Sequence, residues 1–176
     1  MNRFFLIFVF LILLSGCLAK PNYPIIPVIE HVSTQNFKTS NARIDSLAIT
    51  IKFKDGDGDL GLNATDTFPP YQRLLSNGEI NPDYYNFMVK IERKSGGKFV
   101  TLPLDFPLSG RYPSLNPENK NSALEGHLTY YFNVPFGGSI SPVKQFDTLR
   151  FVISIKDKAL HKSNEITGNE VIMGTY

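Results

Sequence analysis

Apolar and polar residues alternate most regularly in the stretch Leu47–Lys54. Its apolar positions are Leu47, Ile49, Ile51 and Phe53, and alanine, threonine and lysine stand between them. A period of two residues places one set of side chains on each face of a β-strand. We therefore predict a half-buried strand here, and it leads directly into a dense group of acidic residues.

Three further stretches alternate in the same way and predict three more strands. They are Asn86–Arg93, Leu128–Val134 and Leu149–Lys156. The segment Ser95-Gly96-Gly97 follows the first of them, and glycine pairs of this kind are typical of tight hairpin turns. Phe99–Leu102 is therefore predicted to return as the partner strand of that hairpin.

Both ends of the folded part are also predicted to be strands. Ile25–Val32 belongs at a sheet edge because Pro24 and Pro27 lack the N–H group that an inner strand needs. The polar residues Ser33–Asn41 predict a connection to the next strand. Near the end of the chain, Glu170–Met173 is predicted to close the sheet.

Two long segments without periodicity separate these strands. Asp55–Pro82 and Pro103–Asn121 predict loops, the first with a short helical turn near Tyr71–Leu75. No other helical pattern follows the first 24 residues. Six or seven alternating strands predict an all-β fold, an antiparallel immunoglobulin-like β-sandwich that covers residues 25–176.

The beginning of the chain is a segment of a different kind. Arg3 precedes the apolar run Phe4–Leu14, which has the length of a signal-peptide core and is too short to span a bilayer comfortably. Leu14-Ser15-Gly16-Cys17 follows and resembles the lipobox of bacterial lipoproteins. That resemblance implies a signal peptide over residues 1–16, cleavage before Cys17 and lipidation of this cysteine.

The resemblance also implies a location. Residues 17–24 form a short tether that keeps the folded domain close to the membrane. Leu18 after the cysteine resembles the sorting signal that directs lipoproteins of many diderm bacteria to the outer membrane. The membrane is therefore the first expected partner, and an envelope protein or a glycan is the second.

Composition argues against nucleic acid as a partner and against an internal disulfide bond. The 176 residues include 18 Lys and Arg and 16 Asp and Glu, so the formal net charge is only +2. The basic residues are scattered along the chain, which argues against nucleic acid as a partner. Because Cys17 is the only cysteine, no internal disulfide can form.

The acidic group after the Leu47–Lys54 strand is the strongest candidate site. Asp55, Asp57 and Asp59 are separated by glycines, which let the backbone bend around one point. Three carboxylates this close repel one another unless water or a cation screens them. Ca²⁺ suits such oxygen ligands. Asp66 is the fourth predicted ligand, since it takes the twelfth place of an EF-hand-style loop.

Two features separate this segment from an EF-hand. Leu60 occupies the sixth place, where glycine is needed, and no helices flank the segment. It is more similar to the calcium-binding bends of cadherin-like and thrombospondin-like repeats. A solvated acidic turn without metal is the alternative. Asp157 is a further candidate ligand if the last hairpin folds back beside the acidic group.

Two resemblances extend beyond single motifs. Phe151–Ile166 resembles the last hairpin of bacterial immunoglobulin-like domains, in which an alternating strand ends in Asp before a tight turn. The mature chain also resembles a family of bacterial lipoproteins that share a Pro-rich start, this ending and the segment Phe53–Gly61, Phe-Lys-Asp-Gly-Asp-Gly-Asp-Leu-Gly. These resemblances imply a fold and an anchor but no activity.

Motifs of catalysis are missing from the sequence. His31, His127 and His161 are the only histidines, and none has the spacing of a zinc-protease motif. No serine lies in a G-x-S-x-G elbow. We therefore do not expect an enzyme, although a hydrolase with a dispersed Ser/His/Asp site stays open as an alternative.

Two tyrosines are candidate binding residues. Tyr85 and Tyr131 would form a groove for a glycan or peptide if both were exposed on one sheet face, whereas alternation places about half of the aromatic residues in the core. The sequence thus predicts a lipid-anchored, non-catalytic binding or structural module of the cell envelope. A glycan- or protein-capture component of a nutrient-uptake system is the alternative.

Overall fold

The computed structural model describes residues 21–116, 118, 120–138 and 141–175. Within these ranges the chain forms eight β-strands and no helix. The strands are β1 (Val28–Lys38), β2 (Ile44–Asp55), β3 (Phe87–Ser95), β4 (Lys98–Thr101), β5 (Leu124–Pro135), β6 (Thr148–Ile155), β7 (Ile166–Thr167) and β8 (Val171–Ile172). The predicted signal peptide, residues 1–16, and Cys17 lie outside the described residues.

The strands form two antiparallel sheets. The first has three long strands in the order β1-β2-β5, so β2 lies between two edges. The second has five strands in the order β4-β3-β6-β7, and β8 pairs with the start of β6. The predicted all-β, antiparallel class is therefore confirmed.

Side chains from both sheets share one apolar core. Leu47 and Ile51 of β2 and Phe151 and Ile153 of β6 are all fully buried in it. Phe132 of β5 contacts Phe151 edge-on, with 5.3 Å between ring centroids. Two sheets that face each other across a common core are consistent with a β-sandwich.

Alternation predicted the central strands well. The four alternating stretches lie within or nearly within β2, β3, β5 and β6, and the glycine turn joins β3 to β4 as expected. Gly96 and Gly97 both have positive φ, +57° and +79°. This conformation explains why glycine follows glycine at this hairpin.

The first strand differs from its prediction at both ends. It is an edge strand, as expected, but it begins at Val28 rather than Ile25. It also continues through the polar residues, so the predicted connection Ser33–Asn41 is wrong over most of its length. A register shift between His31 and Ser33 marks a bulge, after which the polar residues pair with β2. Main-chain pairing with a strongly apolar neighbour therefore overrides the polar local sequence.

Of two smaller predictions, one is wrong and the other is confirmed over part of its length. Residues Tyr71–Leu75 form no helical turn, because Leu74 bridges to Ile80 across the loop instead of bonding along the chain. Near the end of the chain, the predicted strand Glu170–Met173 is confirmed over Val171–Ile172, which is β8, and the short strand β7 before it was not predicted. Both pair with β6.

Candidate metal centre

Three carboxyl groups of the acidic segment converge where β2 ends. Asp55 is the last residue of that strand and is fully buried, while Asp57 and Asp59 are half-buried. One oxygen from each side chain lies within 4.8 Å of the other two. The structure therefore brings together three of the four predicted metal ligands, here called the aspartate cluster.

Main-chain donors satisfy only part of this cluster. The N–H groups of Gly58 and Asp59 donate to Asp55 Oδ2 at 2.8 and 3.1 Å, and the Ala159 N–H donates to Asp59 Oδ2 at 3.0 Å. The Oδ1 atoms of Asp55, Asp57 and Asp59 are buried and accept no hydrogen bond. Buried polar atoms usually have a partner. Three orphaned carboxylate oxygens side by side could therefore hold a metal ion.

Burial and mutual repulsion both disfavour the ionised carboxylates. Burial, followed by the charge of Asp57, raises the pKa of Asp55 to about 7. Burial and the charge of Asp157 also raise the pKa of Asp59. A divalent cation between the oxygens would stabilise the ionised carboxylates and so lower the pKa values of Asp55 and Asp59.

Two glycines let the segment bend this tightly. Gly58 has φ of +77° and Gly61 has φ of +92°, a region that strongly favours glycine. A Cβ atom on Gly58 would overlap the carbonyl oxygen of Ser122, and one on Gly61 would overlap that of Pro113. The aspartate cluster is therefore held against a neighbouring segment and is not a loose surface turn.

The beginning of the described chain docks beside the same segment. A Cβ atom on Gly56 would lie 2.8 Å from the carbonyl oxygen of Pro24, so the two main chains are in close contact. The Tyr23 hydroxyl donates to the carboxylate of Glu125 on β5, which also pairs with Lys52 at 2.6 Å. The described part of the chain thus begins at the end of the fold that carries the aspartate cluster.

The turn after β6 also folds back beside the cluster. Asp157 is buried and bridges to Leu60, but the His161 N–H donates to its Oδ1 at 2.7 Å. The ring Nδ1 of His161 lies 2.9 Å from the other oxygen. Asp157 is therefore not a member of the cluster. It shapes the turn that presents the Ala159 N–H to Asp59. Sequence analysis missed this role of His161, whose spacing of four residues from Asp157 was the available signal.

Asp66, the fourth predicted ligand, lies outside the cluster. Its Oδ2 accepts a hydrogen bond from the Asn63 N–H at 2.8 Å and pairs with Lys158 Nζ at 3.3 Å. Its own N–H donates to the carbonyl oxygen of Asn63 at 3.1 Å. The chain turns back on itself here, so the twelve-residue spacing does not carry Asp66 to the other aspartates. Asp66 caps a turn instead.

A polar cleft with a volume of about 270 Å³ opens beside the cluster. Asp57 and Asp59 form part of its wall, and Asn63, Asn116 and Lys158 are among its other lining residues. Fully buried Asp55 closes the inner side of the cluster. The unpartnered Oδ1 atoms of Asp57 and Asp59 are themselves buried, although other parts of both residues line the cleft.

The three histidines lie on three different elements, and β2 separates His31 on β1 from His127 on β5. His127 is exposed on β5, and His31 on β1 lies 2.9 Å from Thr34 Oγ1 with its pKa lowered by burial. His161 pairs with Asp157, and no serine of the described residues hydrogen-bonds to either member of that pair. The described residues therefore contain no hydrogen-bonded Ser/His/Asp triad.

The two predicted aromatic binding residues do not form one patch. Tyr131 is 67% exposed on the outer face of β5. Tyr85 is half-buried before β3 and contacts the Tyr84 ring edge-on, with 5.1 Å between centroids. Along β5, Tyr131 is seven residues from Leu124, which pairs with Asp55, so roughly 20 Å separates it from the cluster.

The chain matches no protein-family model, no curated protein and no solved structure. Function is therefore inferred from the fold and from the geometry of the aspartate cluster. Within the residues that the structure describes, no helix has the length and apolar character needed to cross a bilayer.

Proposed function

We propose that the chain is a lipid-anchored lipoprotein of the bacterial cell envelope. In this proposal its folded part is an immunoglobulin-like β-sandwich that acts as a non-catalytic binding or structural module and is stabilised by Ca²⁺. The observation that carries the proposal is the set of three buried, unpartnered oxygens on Asp55, Asp57 and Asp59.

The chemistry of the donor set favours calcium. Ca²⁺ takes six to eight oxygen ligands at relaxed geometry, whereas Mg²⁺ requires near-ideal octahedral geometry. Three carboxylates on a glycine-rich loop supply hard oxygen donors, and water would complete the coordination. Softer metals are disfavoured, because the cluster includes no histidine or cysteine.

The anchor is supported by sequence and by the position of the tether. The lipobox-like segment ends at Cys17, and Leu18 after it favours the outer membrane by resemblance. Tyr23 docks on Glu125, so only a few residues separate the cysteine from the fold. Several acyl chains on one cysteine make membrane attachment effectively permanent.

The immunoglobulin-like assignment and the proposed non-catalytic role each have their own support. β6 ends just before Asp157 and a tight turn in which Leu160 has φ of +68°. This ending supports the immunoglobulin-like assignment, which rests on the resemblance of the sequence to the last hairpin of such domains. The proposal of a module that binds or supports other envelope components without transforming them rests on the sequence, which contains no zinc-protease motif and no G-x-S-x-G elbow.

Thermal denaturation of the full chain in detergent tests calcium binding. We expect millimolar Ca²⁺ to raise the melting temperature relative to EDTA, because a ligand that binds only the native state stabilises it by about 2.7 kcal/mol at 100 times its Kd. Mg²⁺ is the control and should have a smaller effect. Identical melting curves in Ca²⁺ and EDTA would contradict the calcium site.

Mass spectrometry of the N-terminal peptide tests the anchor independently. We expect a chain that begins at acylated Cys17. An uncleaved chain, or a Cys17 with a free thiol, would contradict the lipoprotein assignment and leave the calcium result unaffected.

Capture of a glycan is a second candidate function, and the polar cleft favours it. Amide groups such as those of Asn63 and Asn121 line it together with Lys158, and sugars are recognised through hydrogen bonds of this kind. Glycan-array binding by the full chain, with and without Ca²⁺, distinguishes the two candidates. No binding in either condition would leave the structural role.

A further inference from the structure

The three-stranded sheet has two edges, β1 and β5, which differ in how they are protected. An edge strand leaves every second pair of main-chain N–H and C=O groups without a ladder partner, and natural proteins usually block such an edge. β1 and β5 are 11 and 12 residues long. Because both strands are long, an unprotected edge on either one can pair with a strand of another molecule.

The β1 edge is blocked by the end of the chain. The Ile29 N–H donates to Asn164 Oδ1 at 2.8 Å, and Asn164 Nδ2 donates to the Ile29 carbonyl oxygen at 2.9 Å. The amide of Asn164 therefore replaces a neighbouring strand at this point. The bulge between His31 and Ser33 interrupts the edge further.

The β5 edge has no such protection in the described chain. Beyond its ladder with β2, Pro135 O is the one main-chain group of β5 that forms a hydrogen bond among the described residues, with the Ser141 hydroxyl. β5 carries no lysine or arginine, and its only proline is its last residue. Its single carboxylate, Glu125, is neutralised by Lys52 at 2.6 Å. Nothing in this strand repels a second strand.

We propose that a second copy of this chain pairs with β5 through its own β5, antiparallel, with a two-fold axis beside Thr129. The two three-stranded sheets then become one sheet of six strands. This interface goes beyond the function proposed above and depends on neither lipidation nor calcium.

Main-chain geometry selects this register. In an antiparallel pair, directly opposite residues point to the same face, so the two-fold axis of a self-paired strand passes beside one residue. Thr129 and Tyr130 are the two residues nearest the middle of β5. An axis at Tyr130 would pair Pro135 with Glu125 inside the ladder, and proline lacks the N–H to contribute. An axis at Thr129 leaves Pro135 outside.

The side chains of β5 are complementary to themselves in this register. On the outer face Thr129 lies opposite its copy, His127 opposite Tyr131, and Glu125 opposite Asn133, so no like charges meet. On the inner face the opposed pairs are apolar: Leu128 with Tyr130, Gly126 with Phe132, and Leu124 with Val134. This complementarity favours a second copy over an unrelated strand.

Cysteine cross-linking of the full chain in membranes tests the register. Thr129→Cys places the two new thiols opposite each other at the axis, within the Cα separation that a disulfide spans. Thr50→Cys is the matched control, because Thr50 and Thr129 share one hydrogen bond at 2.9 Å and Thr50 lies one strand further in. We expect mild oxidation to give a covalent dimer of Thr129→Cys at least five times more abundant than that of Thr50→Cys or the unsubstituted chain.

Sedimentation equilibrium in detergent supplies a second measurement. We expect the unsubstituted chain to be a dimer and Thr129→Lys a monomer, because two ammonium groups would then face each other at the axis. Gln35→Lys adds the same charge on exposed β1 and should remain a dimer. A monomeric unsubstituted chain together with no excess of Thr129→Cys dimer would overturn the proposal. So would dimers of Thr129→Lys as stable as those of Gln35→Lys.

Discussion

The side-chain amide of Asn86 binds the main chain of Tyr112 in both directions. The Tyr112 N–H donates to Asn86 Oδ1 at 2.8 Å, and Asn86 Nδ2 donates to the Tyr112 carbonyl oxygen at 3.0 Å. Both residues are buried. The Leu62 N–H donates to the same carbonyl oxygen at 3.2 Å, so Asn86 fixes the segment against which the acidic loop packs.

Asn86→Ala should destabilise the fold by about 2–4 kcal/mol, since it leaves a buried donor without its partner and removes one of the hydrogen bonds to a buried acceptor. Urea denaturation measures the change. Asn77→Ala is the control, because Asn77 also makes two hydrogen bonds, both to Glu79, but is exposed. It should cost less than about 1 kcal/mol. Equal costs for both variants would show that the Asn86 contact contributes little.

Gly58→Ala should destabilise the protein much more than Gly78→Ala. Both glycines have positive φ, +77° and +83°, so both variants incur the same backbone strain of about 1 kcal/mol. Only at Gly58 would the new methyl group overlap a main-chain oxygen, that of Ser122, whereas nothing lies within 4 Å at Gly78. We expect a difference of about 2 kcal/mol or more in the free energy of unfolding.

The same pair of glycine variants reports on the metal centre. Gly58→Ala should also weaken the stabilisation by Ca²⁺, because the displaced loop carries Asp57 and Asp59. Gly78→Ala should retain the full effect. A calcium response of normal size in folded Gly58→Ala would argue against a site on this loop.

Stability in EDTA should fall as the pH rises from about 4 to 8. The pKa of Asp55 is about 7 in the folded chain, against an ordinary value of 3.8. Between these values the folded state binds more protons than the unfolded state, so the folded state loses stability as the proton leaves. The upper limit for this one group is about 4 kcal/mol. Urea midpoints at several pH values measure the trend.

Asp55→Asn is the control for this pH dependence, since the amide cannot ionise and can still accept the Gly58 N–H. Burial lowers the pKa of His31, which has the opposite effect below about pH 6.5 and is common to both proteins. The difference between them therefore isolates Asp55. Parallel pH profiles would contradict a raised pKa at this position.

Asp57→Asn should be more stable than the unsubstituted chain in EDTA but should be stabilised less by added calcium. In EDTA we expect it to be more stable than the unsubstituted chain by about 0.5–2 kcal/mol, because one source of repulsion on Asp55 disappears. In Ca²⁺ it should gain much less, because a charged ligand is lost. Thermal denaturation in both buffers measures the two effects. Asp105→Asn, at an exposed position, should change neither.

The sequence predicted strands where one face is buried and the other is not. β2, β3, β5 and β6 meet that condition, so their apolar positions repeat every second residue. The far half of β1 does not meet it, because Thr34, Gln35 and Asn36 are held by pairing with β2 rather than by burial of their own apolar side chains. The local sequence therefore does not predict that pairing.

The candidate site was predictable for similar reasons and only in part. Three aspartates at alternate positions of a glycine-rich turn must lie close together, whatever the rest of the fold does. The position of Asp66 depends on how the chain turns after Gly61, and that turn depends on contact with Pro113. Asn86 was missed because its partner Tyr112 is 26 residues away.

The docking of Tyr23 and Pro24 beside Gly56 bears on where the proposed Ca²⁺ would come from. If Cys17 is lipidated as proposed, only five residues lie between it and Tyr23, a reach of at most about 20 Å. Anionic headgroups concentrate divalent counter-ions within about one Debye length of the surface, about 8 Å. A calcium site held near that layer would then fill at a bulk calcium level too low to load the same protein released into solution. Membrane attachment would then determine both the location of the protein and the occupancy of its calcium site.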